Sequence, residues 1–216
     1  MKIVAVVPVK LNNERLPNKN TKPFSSGKPL ISYVLGTLKR VSGISDIYVY
    51  CSNDAILPYL QEGVQYKKRV ASLDSSTTSM NEILLSFSQE VDADYYVLVH
   101  ATSPFISVDS IEKGISAVES GEYDSALAVT KMQDFLWVDG KPFNYDLANI
   151  PRTQDLNPIF CETSGFYIFS KSLIQNQMRR VGDFPCLVEV SKVEALDIDE
   201  FEDFIIADAV SSYLKI

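Results

Sequence analysis

The sequence predicts an α/β protein built on a mostly parallel, doubly wound sheet. The first observation is the apolar, largely β-branched run from Lys2 to Val9, which is typical of a strand buried on both faces of a parallel sheet. The second is the alternation of strand-like and helix-like segments from this run as far as Thr130. The length of 216 residues fits one large domain, and we expect 1–216 to fold as a single unit.

Hydrophobic periodicity assigns the remaining elements in chain order. Apolar residues at helical spacing, with Ser79 and Glu82 in capping-box positions, predict helices at 30–40, 54–62, 78–91, 108–119, 171–180 and 200–214. Alternating or continuous apolar stretches predict strands at 46–52, 65–70, 94–100, 124–130, 165–169 and 186–190. In a doubly wound sheet, functional loops are expected where the strands end at their carboxyl termini.

The alternation breaks between residues 131 and 165. This segment contains several prolines, an Asp139-Gly140 turn candidate, and the aromatic residues Phe135, Trp137, Phe143 and Tyr145. Irregular aromatic segments often form an arm or a dimer contact. We therefore expect 131–165 to be a small aromatic dimerisation arm inserted in the domain.

Charge is distributed unevenly along the chain. The whole sequence carries 20 basic and 28 acidic residues, for a net charge of −8. Within 1–40, however, Glu14 is the only acid, and the basic residues are Lys2, Lys10, Arg15, Lys19, Lys22, Lys28, Lys39 and Arg40. An acidic protein with one basic segment does not suit nucleic acid, which needs a broad cationic surface. It suits one small anionic ligand, and the alternative is a solvated basic face.

Three of these cations, Lys10, Arg15 and Lys19, lie in one polar loop directly after the first strand. The loop ends near Pro29, which suits the first position of a helix, and strand, basic loop and helix together can hold a polyphosphate. The loop has neither the GxxxxGK[ST] nor the GxGxxG pattern. Its sequence therefore argues against a P-loop NTPase and against a nicotinamide-dependent dehydrogenase.

Asp197 and Asp199 stand two residues apart at the end of an extended segment. Mg²⁺ is usually held by one or two carboxylates together with substrate phosphates, so this pair is a candidate metal site. The alternative is that Asp199 caps the last helix, with Glu202 completing a capping box. Both roles are compatible.

Two further residues are candidates for ligand contact. His100 is the only histidine; it ends a predicted strand beside Thr102 and Ser103, and with no catalytic triad in view it favours substrate recognition over general-base chemistry. Arg69 closes another strand and can reach an anion, or it is a surface arginine.

The remaining composition indicates a cytoplasmic protein. No apolar run is long enough to span a membrane, and the start resembles neither a signal peptide nor an anchor. Cys51, Cys161 and Cys186 are odd in number and lack CxxC spacing, which is typical of reduced cysteines and not of a zinc site.

Several motifs together resemble the sugar-acid cytidylyltransferase family, which comprises the CMP-sialic acid and CMP-Kdo synthetases and their relatives. The likeness extends over nearly the whole chain. It is carried by VPVK at 7–10, LPNKN at 16–20, RVASLD at 69–74, VHATSP at 99–104, RTQDL at 152–156, Glu162 before Tyr167, and DIDEFED at 197–203.

The resemblance implies a Rossmann-like nucleotidyltransferase, usually a homodimer, that uses CTP and Mg²⁺. The anomeric hydroxyl of a 2-keto-3-deoxy sugar acid would attack the α-phosphorus and release pyrophosphate. The residues it assigns to catalysis are Lys10, Arg15, Lys19 and Asp199; those it assigns to the nucleotide are Lys10, Asn12, Arg15, Lys19, Asn20, Arg69 and Ser79. The acceptor would contact His100, Thr102, Ser103, Gln154 and Glu162, and the metal would be held by Asp197 and Asp199.

Some positions depart from the family pattern. Lys10 stands where an arginine is usual, Glu14 places an acid in the cationic loop, His100 and Ala101 replace Gln-Pro, and Ile106 stands where an arginine often follows. The acceptor is therefore open between a sialic acid-like nonulosonic acid and another acidic sugar. Two other functions stay in view: a nucleotidyltransferase for another sugar or a polyol phosphate, and a non-catalytic nucleotide- or sugar-binding subunit.

Overall fold

Seven strands form one central sheet in the computed structural model, which describes residues 1–215. The nine strands of the described chain are β1 (Ile3–Val9), β2 (Ile44–Cys51), β3 (Val64–Lys68), β4 (Tyr95–Val99), β5 (Ser125–Met132), β6 (Trp137–Val138), β7 (Lys141–Pro142), β8 (Ile159–Ser170) and β9 (Pro185–Glu189). The central order is β3-β2-β1-β4-β8-β5-β9, and β6 and β7 form a separate ribbon. Only β8 runs antiparallel to its neighbours in this sheet. The predicted mostly parallel α/β architecture is confirmed.

Five α-helices cover the faces of the sheet in the described chain: α1 (Ile31–Leu38), α2 (Met80–Glu90), α3 (Val108–Glu119), α4 (Lys171–Gln177) and α5 (Phe201–Leu214). The helix predicted at 54–62 is instead a short 3₁₀ helix, Asp54–Tyr59, because Pro58 lies inside it and cannot donate to an α-helical ladder. Pro29 does not begin α1, since it forms a bridge with Pro23 two residues before the helix starts. No helix within 1–215 has the length and apolar character needed to cross a bilayer.

Strand β1 lies at the centre of the molecule because both of its faces are apolar. Ile3, Ala5 and Val7 pack into one core cluster with α1 and α3, whereas Val4 and Val6 pack into a second cluster with α2. All of these side chains are buried. The prediction of a doubly buried first strand is confirmed, and the loop after it must emerge at the carboxyl edge of the sheet.

Three chain segments meet at that edge. The loops after β1 and β4 arrive there because these strands are parallel, and the start of β8 arrives there because β8 runs the opposite way. The segment around Ile198 closes over them: its backbone N–H donates to the carbonyl of Thr102 at 2.9 Å, and its side chain is fully buried. This edge therefore carries residues from both ends of the chain.

The segment predicted as an arm begins within the sheet. Val129 to Met132 of β5 pair with Ile159 to Glu162 of β8, beyond a register shift. Strand β8 is consequently longer than the predicted 165–169. Between these strands, the side chains of Trp137 and Phe143 are more than half exposed. The role of this arm in dimerisation stays a prediction.

The close packing of α3 on β8 generates a stability prediction. A Cβ atom at Gly114 would lie 2.8 Å from both the Ile168 Cδ1 and Phe166 Cε2 atoms, whereas a Cβ at Gly36 in α1 would meet nothing within 4 Å. We expect Gly114→Ala to lower the free energy of unfolding by about 1–3 kcal/mol through overpacking. We expect Gly36→Ala to raise it by up to about 1 kcal/mol, since alanine favours the helix. Urea titrations of both variants would check this, and equal effects would contradict the packing argument.

Candidate functional site

The loop after β1 is folded back on itself by a buried asparagine. Asn20 donates from Nδ2 to the carbonyl of Lys10 at 2.8 Å, and its side chain is buried. Asn18 adopts a left-handed backbone with φ of 56°, a conformation that asparagine tolerates. Leu16 is buried against the core formed by Phe24 and Ile198. These contacts hold the loop in one conformation. Asn20, which was predicted to bind the nucleotide, has a structural role here, since its side chain links the two ends of the loop.

Lys19 joins this loop to the predicted aspartate pair. Its Nζ donates to the carbonyl of Ile198 at 2.5 Å and to Asp199 Oδ1 at 3.2 Å. Arg15 Nη2 lies 2.9 Å from the same Asp199 oxygen. The prediction that the cationic loop meets the aspartate pair is confirmed for Asp199.

A cavity of about 200 Å³ lies at this junction. Its walls include the predicted residues Lys10, Asn12, Arg15, Lys19 and Asp199, joined by Asn13, Glu14, Leu16 and Ser76. Three cations against two acids give the cavity a positive balance, which suits an anionic ligand with several oxygen atoms. Glu14, the acid that the sequence places in the cationic loop, is part of the cavity wall.

A larger groove, of about 630 Å³, lies between α1 and the start of α3. It is lined by Lys28 and Arg40 but contains none of the predicted site residues. Its size alone does not mark it as the functional site, because the converging cations and carboxylates lie in the smaller cavity.

The two aspartates have different environments. Asp197 Oδ2 accepts a hydrogen bond from Ser164 Oγ at 2.8 Å, while its Oδ1 is buried without a hydrogen-bond partner among the described residues. A buried carboxylate oxygen without a partner is costly, and a cation would remove that cost. Within 1–215 no group of three His, Cys, Asp or Glu residues forms a metal cluster. A metal at this site would therefore depend on substrate oxygens as further ligands, as Mg²⁺ commonly does.

The alternative capping role of Asp199 is wrong. The N-cap of α5 is Glu200, whose backbone N–H donates to Asp203 at 2.8 Å in a capping box. Asp203 also accepts from the backbone N–H of Asp199 at 3.0 Å. The helix therefore holds the backbone of Asp199 and leaves its carboxylate to the site.

His100 lies in the electrostatic field of the site. Burial lowers the pKa of its imidazole to about 4, and the positive charges of Arg180 and Lys19 lower it further, against the opposing effect of Asp197 and Asp199. The imidazole is therefore neutral at pH 7. Such a group is a weak base at neutral pH, which agrees with the prediction of recognition over proton abstraction.

The other residues predicted to contact the acceptor lie on three elements. Ser103 is buried and its hydroxyl has no hydrogen-bond partner among the described residues, while the carbonyl of Thr102 accepts from Ile198. Glu162 on β8 accepts from the Tyr167 hydroxyl at 2.9 Å. Gln154 lies in the arm, where its carbonyl accepts from Gln133 at 3.3 Å. Contact of each residue with a substrate stays a prediction.

Arg69 and Ser79 have structural partners. Arg69 is buried, so the surface-arginine alternative is wrong: it forms an ion pair with Asp74 and donates to the carbonyl of Val9 at 3.0 Å. It thereby joins the ends of β1 and β3. Ser79 caps α2 in the predicted capping box with Glu82. Direct contact of Arg69 or Ser79 with a nucleotide stays a prediction.

Sequence reasoning missed Asn13, Ser164, Tyr167 and Arg180. Asn13 Oδ1 is buried at the cavity without a partner in the described chain. Tyr167 is placed by the pairing of β8 with β4, and Ser164, earlier on β8, reaches Asp197 by its hydrogen bond. Arg180 lies over the Tyr167 ring, with 4.4 Å between the guanidinium carbon and the ring centroid. No local pattern signals Ser164, Tyr167 or Arg180, because strand register and a distant loop bring them together, whereas Asn13 lies in the cationic loop next to the predicted Asn12.

A mostly parallel sheet whose carboxyl edge joins a cationic loop to Asp199 of the aspartate pair is the arrangement of a nucleotidyltransferase-like α/β protein. Comparison with known proteins agrees with this class. A family model described as cytidylyltransferase matches residues 4–182. The chain belongs to the cytidylyltransferase family.

Two curated relatives align with nearly the whole of this chain at low sequence identity. N-acylneuraminate cytidylyltransferase of Oncorhynchus mykiss is 24% identical over 216 residues, covering 95% of this chain and 49% of that protein. CMP-N,N'-diacetyllegionaminic acid synthase of Legionella pneumophila is 27% identical over 217 residues, covering 92% and 91%. The chain thus spans about half the length of the first of these relatives and most of the second.

Solved structures support the fold. CMP:2-keto-3-deoxy-manno-octonic acid synthetase complexed with CTP has a TM-score of 0.75 at 17% identity, covering 99% of this chain and all of that one. The 4-diphosphocytidyl-2C-methyl-D-erythritol synthase of Anaerococcus prevotii has a TM-score of 0.70 at 16% identity, covering 100% and 96%. At this identity the likeness is one of fold alone.

The environment of His100 predicts a lowered pKa for its imidazole, which NMR can measure directly. Because His100 is the only histidine, the NMR titration of its Cε1–H proton is unambiguous. In metal-free protein we expect a midpoint near 4, against an ordinary value of 6.5 that urea-unfolded protein should show. The unfolded state then binds more protons between these values, so this group lowers stability as pH falls from 6.5 towards 4. A folded-state midpoint near 6.5 would contradict the assignment of a partly buried, neutral imidazole.

Proposed function

We propose that this protein is a cytidylyltransferase that activates a 2-keto-3-deoxy sugar acid with CTP, giving a CMP-sugar and pyrophosphate. The observation that carries the proposal is the junction of the cationic loop with Asp199, which places several cations beside two carboxylates at the edge of the sheet. Family membership supports CTP as the donor. Relatives named for acylneuraminate, octulosonate and legionaminic acid support an acidic sugar as the acceptor.

The donor half of the site is the cavity lined by the cationic loop. Lys10 and Arg15 would bind the triphosphate and stabilise the pyrophosphate as negative charge accumulates on it. Lys19, whose ammonium is committed to Ile198 and Asp199, would act mainly by holding the loop against the aspartates. Positioning and fixed charge supply most of the rate in transfers at phosphorus, and this preorganised loop suits such a mechanism.

Mg²⁺ belongs to the proposal as the cofactor held by Asp197 and Asp199. The unpartnered Oδ1 of Asp197 and the hard oxygen donors of both carboxylates fit this ion. When bound, Mg²⁺ would neutralise phosphate charge and make the attacking hydroxyl easier to ionise. Ser164 orients Asp197 for this task through its hydrogen bond to Oδ2.

The acceptor half comprises His100, Thr102, Ser103 and Glu162, with Gln154 supplied by the arm. The neutral imidazole of His100 offers one donor and one acceptor to a sugar hydroxyl. The unpartnered hydroxyl of Ser103 and the exposed carboxylate of Glu162 add two more polar groups. Recognition of a polyhydroxylated acceptor requires such a set of convergent hydrogen-bonding groups.

The proposal includes a homodimer and a cytoplasmic location. Trp137 and Phe143 of the arm expose apolar area that a second copy of the chain would cover. Cys51, Cys161 and Cys186 are free thiols, which suits the reducing compartment where CTP is available.

The enzymatic prediction is tested by pyrophosphate release. Purified protein with Mg²⁺ is supplied with each of the four nucleoside triphosphates, in combination with 3-deoxy-manno-octulosonate, N-acetylneuraminate or N,N'-diacetyllegionaminate. We expect turnover with CTP only, and with at least one acid. Asp197→Asn and Asp199→Asn should each lower kcat/KM by at least about 10²-fold, because charge stabilisation in such transfers is of this order.

The matched control is Asp92→Asn, since Asp92 is an exposed acid paired with Lys171 just before β4, at the opposite edge of the sheet. It should keep wild-type activity. To separate metal binding from loss of the Arg15 and Lys19 ion pairs, Mn²⁺ binding is measured by electron paramagnetic resonance in the presence of the α,β-methylene analogue of CTP. Full activity of Asp199→Asn, or unchanged Mn²⁺ binding by both variants, would refute the metal assignment.

The dimer prediction concerns the exposed aromatic residues of the arm. We expect Trp137→Asp and Phe143→Asp each to raise the dimer dissociation constant at least about 10-fold, since buried aromatic residues often dominate interface energy. Tyr213→Asp on α5 removes an even more exposed aromatic side chain outside the arm and should leave the constant unchanged. Sedimentation velocity measures all three. A monomeric wild type, or a larger effect at Tyr213, would contradict the assigned interface.

A further inference from the structure

The groove of about 630 Å³ between α1 and the start of α3 lies outside the proposed active site. Its walls share no residue with the donor cavity. Its volume falls in the range of about 300–1,000 Å³ that is usual for small-molecule sites. Three charged side chains line it: Lys28 and Arg40, which flank α1, and Asp109 of α3. Two cations against one acid give the groove a positive balance.

Lys28 is held at the groove by the loop before α1. Its carbonyl accepts from the backbone N–H of Phe24 at 3.1 Å, and the bridge between Pro23 and Pro29 closes the same turn. Its Nζ lies 3.9 Å from the centroid of the Tyr33 ring. The ammonium is therefore placed beside an aromatic wall before any ligand binds.

Arg40 lies just beyond the end of α1. Its Nε donates to the carbonyl of Gly36, in the last turn of the helix, at 3.2 Å, and the C-terminal end of a helix favours a cation. The residue is exposed, and its Nη1 and Nη2 atoms form no hydrogen bond within 1–215. Both of these amino groups are therefore accessible to a ligand.

Neither cation has a carboxylate partner. No ion pair within 1–215 includes Lys28 or Arg40. Burial lowers the pKa of Lys28, and the positive charge of Arg40 lowers it further. Two neighbouring charges of the same sign are unfavourable, and an anion bound between them would remove part of this cost.

The acids around the groove do not supply this counter-charge. Asp109 is exposed in the first turn of α3, where the helix dipole stabilises a carboxylate, and in the described chain no ion pair joins it to Lys28 or Arg40. The start of α3 is already capped by Glu194, which accepts from the backbone N–H of Ser107 at 3.2 Å. The attraction for an anion therefore comes from the two cations and not from the helix.

The rest of the lining is largely apolar and suits the uncharged part of a ligand. The apolar and aromatic wall residues are Tyr33, Pro104, Phe105, Ile106 and Val108. A single phosphate ion would fill only a small part of the groove, whereas a sugar phosphate or a nucleotide would also contact this wall. Phe105 packs in the same core cluster as Leu16 and Ile198, which connects the groove to the junction beside the donor cavity.

We propose that this groove is a second ligand site that binds a small phosphate ester, with Lys28 and Arg40 holding the phosphate group. The apolar wall contacts the organic part of the same molecule. Phosphate is favoured over carboxylate because its three free oxygen atoms can accept from the ammonium and from both Nη groups together, and because it carries about −1.5 to −2 charge at pH 7. Free phosphate shares this chemistry but lacks the organic part, so the two sources can be compared directly.

The experiment follows the Gly36 backbone amide, which lines the groove, in proton–nitrogen correlation NMR spectra of the whole chain. Its peak is identified by its loss in Gly36→Ala. Ribose 5-phosphate should shift the peak saturably, inorganic phosphate should bind more weakly, and ribose should have no effect. Lys28→Gln and Arg40→Gln should each weaken binding of ribose 5-phosphate about 10-fold, the order of effect for losing one charge-assisted hydrogen bond. Asp109→Asn should tighten it by about threefold, because a like charge is removed.

The matched control is Lys39→Gln, since Lys39 is an exposed cation next to Arg40 that does not line the groove. It should bind ribose 5-phosphate as wild type does. Arg15→Gln tests whether the shift originates in the donor cavity, and it should leave the Gly36 titration unchanged. Circular dichroism melting curves identify any misfolded variant.

Four outcomes would overturn the inference. The first is the absence of a saturable shift at Gly36, and the second is equal affinity for ribose 5-phosphate and inorganic phosphate. The third is equal weakening by Lys39→Gln and Arg40→Gln, which would indicate non-specific attraction. The fourth is loss of the shift in Arg15→Gln, which would indicate binding at the donor cavity. Because the titration uses neither CTP nor a sugar acid, its result is independent of the proposed activity.

Discussion

The buried ammonium of Lys19 is the interaction on which the site depends. It lies between the carbonyl of Ile198 and the carboxylate of Asp199, residues about 180 positions away in the chain. Burying an ammonium is costly unless several acceptors surround it. The cationic loop and the segment around Ile198 therefore stabilise each other only when both are in place. The hydrogen bond from Ile198 to Thr102 adds the loop after β4 to the same junction. The groups proposed to bind the donor, the metal and the acceptor thus lie on segments that this junction holds together.

Much of this arrangement could be predicted from sequence because its signals are local. The apolar run of β1 has one interpretation, and α3 begins and ends where its apolar spacing predicts. The joining of the cationic loop to Asp199 was expected from the family resemblance and not from strand order, because Asp199 belongs to no strand of the sheet. The burial of Arg69 did not follow, because an arginine at a strand end looks the same whether solvent or Asp74 receives it. The placement of Arg180 over the Tyr167 ring depends on strand register and on a loop contact, which no spacing in the sequence encodes.

The two aspartates differ in a way that suits separate tasks. Asp199 is already neutralised by Arg15 and Lys19, while Asp197 is satisfied on one oxygen by Ser164 and unsatisfied on the other. The side chain of Arg15 is 61% exposed and that of Lys19 only 10%. An exposed ion pair contributes little free energy, so Arg15 could exchange Asp199 for a phosphate at small cost. Lys19 could not leave Asp199 as cheaply, because its side chain is buried. One cation is therefore available to the ligand and the other maintains the structure.

The antiparallel direction of β8 connects the arm to the acceptor half. Its first residues, Ile159 to Glu162, pair with the outer end of β5, and Glu162 and Ser164 both lie in this C-terminal part of the 131–165 segment. A parallel strand in this position would begin at the opposite edge and bring neither residue to the site. Because Ser164 orients Asp197 and Glu162 contacts Tyr167, any interface that fixes the arm also fixes these contacts. The direction of this one strand thus links the geometry of the proposed acceptor half to the 131–165 segment.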